Sequence, residues 1–298
     1  MKPEKLKTRI FLDGGDANET RAILKLLGFL DGQTTNPTLV AKNPAVRKRL
    51  EQGELFSAAE LLDFYREIVE EVASLIPRGS VSVEVYADSA SQAETMYRQG
   101  KEMYSWIANA QIKFPTSREG VRAAAQAVRS GMRVNMTLCF SQEQAAAVHA
   151  ATIGAGTGQV FVSPFVGRLD DRGERGMDLV ANILKMYGNG DEHVDVLTAS
   201  VRSLDHLMSA LQLESDIITA PFDVLRAWGE QGMPVPDPDY VAPHSSLKPV
   251  PYRVIRLDRR WEDYDIRHDL TDAGMKQFSA DWNALISAPR RKAYGSRG

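Results

Sequence analysis

A single cysteine in 298 residues, Cys139, leaves no partner for an internal disulfide and no basis for a cysteine-built metal cluster. Its apolar strand context marks it as a packing residue, and such sparse cysteine usage fits a reducing compartment. No apolar run approaches the roughly 20 residues that cross a bilayer, and Met1-Lys2-Pro3-Glu4-Lys5 does not lead into a signal-type segment. The expectation is a cytoplasmic protein without a membrane partner. Charge of one sign is scarce as well. The formal net charge is -3, with no basic stripe or stacking platform, which argues against nucleic acid as a partner. Any anionic ligand therefore has to be held by a few placed cations. A Gly-rich dinucleotide fingerprint is also missing.

What is present is a rhythm. With 43% apolar and 25% charged residues, the chain can bury one large core or two smaller ones. Short β-branched or apolar runs alternate with longer segments of helical period. Strand candidates fall at 10–12, 32–35, 81–86, 112–114, 133–138, 160–163, 194–198 and 217–219, each trailed by a helix candidate. Phe64, Ile68, Val72 and Leu75 repeat at helical spacing, as do Val180, Ile183, Leu184 and Tyr187. Prolines mark strand-to-helix junctions at Asn36-Pro37, Phe114-Pro115, Ser163-Pro164 and Ala220-Pro221. Eight such units predict an α/β (β/α)8 barrel, with an open doubly wound sheet as the alternative. The reading is one barrel domain over 1–298. It carries an irregular proline-rich excursion at 232–267, across the surface or into a neighbouring subunit, and an extra C-terminal helix at 271–286.

In a parallel barrel both strand faces are buried, so residue parity sorts outward from inward side chains. Val81, Val83 and Val85 suit the helix side, which leaves Ser82 and Glu84 for the interior. By the same rule Asp13, Lys113, Asn135, Thr137 and Ser163 point inward, most of them near strand C-terminal ends, where barrel enzymes keep their chemistry. Each has a bland reading alone. Asp13 precedes Gly14-Gly15 and could form a turn; Glu84 and Lys113 could be a structural ion pair; the rest could be ordinary hydrogen-bonding groups. Their convergence favours function, because burying two carboxylates and an ammonium together costs stability.

Such a set can run imine chemistry. An amine attacks a ketone only when unprotonated, a form that burial favours and a touching carboxylate opposes. The expectation is that the carboxylates stand off the amine or reach it through water. Asp13 and Glu84 supply groups for acid-base work. Beyond the strand ends, Arg168 and Arg202 offer guanidinium forks for phosphate oxygens, and Ser200 a hydroxyl donor.

Several stretches resemble the transaldolase family: Thr34-Thr35-Asn36-Pro37-Thr38-Leu39, Ile112-Lys113-Phe114-Pro115-Thr116, Val134-Asn135-Met136-Thr137-Leu138-Cys139-Phe140-Ser141 and Val162-Ser163-Pro164-Phe165-Val166-Gly167-Arg168. Ala199-Ser200-Val201-Arg202 and Leu270-Thr271-Asp272-Ala273-Gly274 add to them. The resemblance covers 10–230 and about 268–286. It implies a class I barrel in which Lys113 forms a Schiff base with a ketose, Asp13 takes the hydroxyl proton during carbon-carbon cleavage, and Glu84 works through a water held by Thr137. It further implies that Asn36, Asn135 and Ser163 bind the dihydroxyacetone portion, that Phe165 is also substrate-binding, and that Arg168, Ser200 and Arg202 bind the terminal phosphate.

Phosphorylated sugars such as fructose 6-phosphate or sedoheptulose 7-phosphate would be substrates, in pentose phosphate chemistry. No metal or organic cofactor is expected, and a homo-oligomer is. A branch of the family that resembles fructose-6-phosphate aldolase and uses free dihydroxyacetone has glutamine where Glu84 stands and tyrosine where Phe165 stands, so this pair favours transfer. The proline-rich segment, Phe114 and the acidic Asp170-Asp171 depart from the family's commonest pattern. Besides that aldolase, the rival reading is a non-catalytic sugar-phosphate-binding barrel.

Overall fold

The computed structural model describes residues 2–237, 240 and 246–287. Eight parallel strands close into a barrel in sequence order. They are β1 (Arg9–Asp13), β2 (Gly32–Thr34), β3 (Ser80–Glu84), β4 (Ala110–Pro115), β5 (Val134–Cys139), β6 (Val160–Pro164), β7 (Val194–Thr198) and β8 (Ile217–Ala220). Each falls on one of the stretches expected from β-branched runs, and β1 pairs with β8 to seal the barrel. The open-sheet alternative is excluded. Val81, Val83, Ile112, Phe114, Val134 and Met136 are wholly buried between strands and helices, which accounts for the near-continuous apolar character of these strands.

The junctions are set by local chemistry. Pro115 and Pro164 end β4 and β6, Pro37 opens the short helix Pro37–Ala41, and Pro221 precedes the helix Phe222–Glu230. Asn36 caps the first of these helices by accepting from Leu39 N at 2.9 Å. At the N-terminal end of the barrel, Phe11 and Phe161 meet edge to face at 6.2 Å and plug the interior. Gly32 makes room for that plug, since a Cβ there would lie 2.5 Å from Phe11 Cζ and 2.5 Å from Ser80 O. The interior is thus packed below and open only toward the C-terminal ends of the strands.

The described parts of 232–267 form an irregular strap over the barrel's own helices. Trp228 Nε1 donates to Pro234 O, Lys248 bridges to Glu174, Val250 N donates to Asp178, and Arg253 N donates to Gln142. One 3₁₀ turn, Trp261–Asp263, interrupts it. Met1 and two prolines counted in the sequence pattern, Pro238 and Pro243, lie outside the described residues.

The last described helix is Asp269–Asn283, two residues earlier at its start than the pattern suggested, because His268 acts as its cap by accepting from Leu270 N. Its tie to the barrel is specific. Leu138 adopts a positive φ of 60° where the β5–β6 register slips, and Leu138 O accepts from Thr271 Oγ1 at 2.9 Å. No described helix is long and apolar enough to cross a membrane.

Candidate active site

The register of the sheet brings the inward residues together. Glu84 of β3 sits opposite Lys113 of β4, and Lys113 opposite Asn135 of β5. All three share inward parity, and strands lie about 4.8 Å apart, so neighbouring side chains meet with nothing between them. Lys113 Nζ lies 2.8 Å from Glu84 Oε2 and donates to Thr35 O at 2.9 Å. Both side chains are 5% exposed. This corrects the expectation that the carboxylates stand off the amine. The Glu84 contact is an ion pair outside hydrogen-bond alignment, and the well-directed bond from Lys113 goes to Thr35. Burial pushes the Glu84 carboxyl above its ordinary range, and the Lys113 charge pulls it partly back. Tyr65, on the flanking helix Ala58–Leu75, braces the strands that carry the pair, with its hydroxyl accepting from Glu84 N at 2.9 Å and bonding to Thr35 Oγ1.

Asp13, the second buried carboxyl, accepts from Thr34 Oγ1 at 2.7 Å, and Thr34 in turn bonds to Thr219 of β8. Burial raises its pKa, opposed by Lys113, by the Thr34 hydroxyl and by Lys42. Thr137 presents a buried Oγ1 with no partner among the described residues. Asn135 spends its amide on Ser82 Oγ (3.1 Å) and Ser163 Oγ (2.6 Å), so it supports Ser163 and does not line the opening. Above this floor is a cavity of about 570 Å³, whose wall includes Asp13, Lys113, Thr137, Ser163, Phe165 and Arg168. Asn36, Ser200 and Arg202 reach the same cavity.

A match to the family Transaldolase/Fructose-6-phosphate aldolase spans residues 10–288. A probable transaldolase of Dehalococcoides mccartyi is 33% identical over 93% of this chain and 99% of its own length. Another from Roseiflexus sp. is 34% identical over 93% of this chain and 97% of its own. The chain belongs to this enzyme family. Its family-like stretches are those just located at the C-terminal mouth: the Asn36 cap, Lys113 on β4, Asn135 and Thr137 on β5, and Ser163 through Arg168 after β6.

The two arginines at the mouth differ. Arg168 stacks between Phe165 and Phe278, its guanidinium carbon 5.6 and 5.2 Å from the ring centres, and has no ion pair within 4 Å among the described residues. Arg202 is held by Asp171 at 2.5 Å, in the acidic segment that departs from the family pattern. Its neighbour Asp170 binds His206 and the Gly176 amide instead. Ser200 takes a positive φ of 58°.

The mouth also contains residues that parity reading missed. Lys42, just beyond the Asn36-capped helix, adds a third cation. Thr34 and Thr219 hold Asp13, while Gln277, Phe278 and Asp281 come from the terminal helix. Inward parity at 34 was readable beside Asp13; which barrel end a terminal helix covers was not.

Because burial raises the Asp13 pKa, its ionised form is disfavoured in the folded state. That cost is present above the folded pKa and disappears as pH falls through it toward the unfolded value. Asn can still accept from Thr34. Asp13→Asn should therefore raise the thermal midpoint at pH 7, with the gain shrinking toward pH 4; melting curves across that range would check it.

Proposed function

We propose that this enzyme is a transaldolase, moving a dihydroxyacetone unit from a ketose phosphate to an aldose phosphate through a Schiff base on Lys113. The observation that carries the reading is the buried Lys113–Glu84 contact at the floor of a cavity within the roughly 300–1,000 Å³ typical of small-molecule sites. The contact that opposes a free amine at rest also provides the way to one. A proton passes from the ammonium to Glu84, whose affinity for it is increased by burial, and leaves a neutral amine facing the ketose carbonyl.

Addition gives a carbinolamine. Its hydroxyl leaves as water with the proton returned by Glu84, so the ammonium and ketone have become a protonated imine and one water. In this reading the Thr137 hydroxyl, which has no partner among the described residues, holds that water. Asp13 then takes the proton of the hydroxyl two carbons from the imine. The carbon-carbon bond breaks, its electrons flow into the imine to give an enamine, and the aldose leaves. Attack by the enamine on an acceptor aldehyde, with Asp13 returning its proton to the new hydroxyl, reverses the sequence. A raised carboxyl pKa suits a group that must both take and give a proton near neutrality.

Arg168, Arg202 and Lys42, with the Ser200 hydroxyl, supply the charge and donors for the substrate phosphate. Glu84 and Phe165, at positions where the aldolase branch has glutamine and tyrosine, favour transfer over release of free dihydroxyacetone. The proposed setting is cytoplasmic pentose phosphate metabolism.

Borohydride reduction with fructose 6-phosphate, followed by intact-mass and peptide analysis, should leave a three-carbon adduct on Lys113. A folded protein that gains none would overturn the assignment. Glu84→Gln should slow imine formation by roughly 10²–10⁴-fold, read by single-turnover trapping. Arg202→Ala should raise KM for phosphorylated ketoses far more than for unphosphorylated ones, while Asp171→Ala, which frees the guanidinium, should lower it. Equal effects on both substrate classes would remove Arg202 from phosphate binding.

A further inference from the structure

At the opposite end of the barrel from Lys113, three side chains from two distant parts of the chain converge. His149 lies near the end of the helix Gln142–Ala151; Asp191 and His193 lie in the turn that leads into β7. His149 Nε2 is 3.2 Å from Asp191 Oδ1, His193 Nδ1 contacts the same oxygen, and the imidazole rings are 4.5 Å apart. One ligand atom from each residue can be chosen so that all lie within 4.8 Å of one another. We propose that His149, Asp191 and His193 form a binding site for a divalent cation of the zinc type, with Nε2, a carboxylate oxygen and Nδ1 as ligands and solvent as the fourth.

Two independent observations go beyond the clustering. His149 is 6% exposed, yet its Nδ1 has no partner among the described residues and its Nε2 has only an off-line contact with Asp191. A buried polar nitrogen left in that state is costly, and a cation at Nε2 would satisfy one of the two. The outer shell is also partly built. Thr152 Oγ1 donates to Val148 O at 2.8 Å, which leaves it free to accept from His193 Nε2 at 3.0 Å. While Asp191 touches Nδ1 the proton stays there; once a cation draws Asp191 away, the Thr152 acceptor at Nε2 favours the tautomer with Nδ1 unprotonated, as a metal ligand requires. Two imidazoles and a carboxylate at zinc bond lengths of about 2.0–2.2 Å match the usual three-ligand set.

The approach to the cluster is kept open by Gly190, where a Cβ would lie 2.7 Å from His149 Nε2. Asp191 and His193 touch more closely than two ligands of one ion can, so binding has to draw them apart. Asp191, 54% exposed in its turn, has room to move. The N-terminal end of a barrel is where stability, not catalysis, is built. The ion would staple the end of one outer helix to the start of β7.

The test is equilibrium dialysis of chelator-treated full-length protein against Zn²⁺ alone, with Co²⁺ absorption reporting coordination geometry and thermal melts reporting stability. One ion per chain, a tetrahedral Co²⁺ spectrum and a raised thermal midpoint are expected. Loss of a ligand should cost more than the roughly 10–100-fold attributed to outer-shell changes. Asp191→Ala, at an exposed position that need not disturb folding, should weaken Zn²⁺ beyond that range and abolish the midpoint shift. His149→Gln should do the same, and His206→Gln, at a separate histidine–aspartate pair, should change neither. Zn²⁺ that fails to bind, binds Asp191→Ala as tightly as the parent, or is lost only on Asp13→Asn would overturn the proposal.

Discussion

Everything at the mouth of this barrel depends on an ion pair almost wholly withdrawn from water. Placing a carboxylate and an ammonium side by side in the interior costs several kcal/mol per ion, of which their mutual attraction returns only part. Removing one partner would leave the other charge stranded, at about 3–5 kcal/mol. The barrel accommodates Glu84 and Lys113 because adjacent parallel strands in register leave no choice of neighbour, and because the Tyr65 hydroxyl takes up the Glu84 amide and Thr35 O accepts from Lys113 Nζ. The same enclosure raises the Glu84 and Asp13 carboxyls, so what is unfavourable for folding is the source of groups able to exchange protons.

Around that pair, the upper rim is assembled from elements far apart in the chain. The slip in β5 at Leu138 turns a carbonyl out of the ladder and toward Thr271. Gln144 reinforces the joint by donating to both Thr271 Oγ1 and Ile266 O, tying the strap to the terminal helix. Phe278 and Asp281 thereby become part of the cavity wall. A non-glycine residue held at positive φ costs energy, and here that cost secures a lid-like helix over one side of the opening.

The barrel was legible in the sequence because parallel strands buried on both faces must be apolar, and because prolines mark their ends. Parity then separated Glu84, Lys113, Asn135 and Thr137 from their valine and methionine neighbours. What parity could not supply was the stagger between strands, and the need for a free amine argued for separated charges where the structure has contact. Nor could it reveal that Asn135 is spent on Ser82 and Ser163, or that Asp171 would hold Arg202. Lys42 and the terminal helix enter the site through packing between distant segments, which no local pattern records. His149 and the Asp191–His193 pair share no spacing signature, for the same reason.

The Arg202–Asp171 contact has a consequence for how an anion is received there. A phosphate arriving at Arg168, which has no ion pair within 4 Å among the described residues, gains a new charge contact; one arriving at Arg202 must displace a carboxylate. The first event is capture and the second exchange. Salt screens a surface ion pair before the exchange about as well as after it, so the exchange half of the site is nearly indifferent to ionic strength. The capture half, sheltered between Phe165 and Phe278, is screened less than an exposed charge would be. Under the proposed phosphate assignment, the two together would form a cradle whose grip is buffered against changes in the surrounding electrolyte.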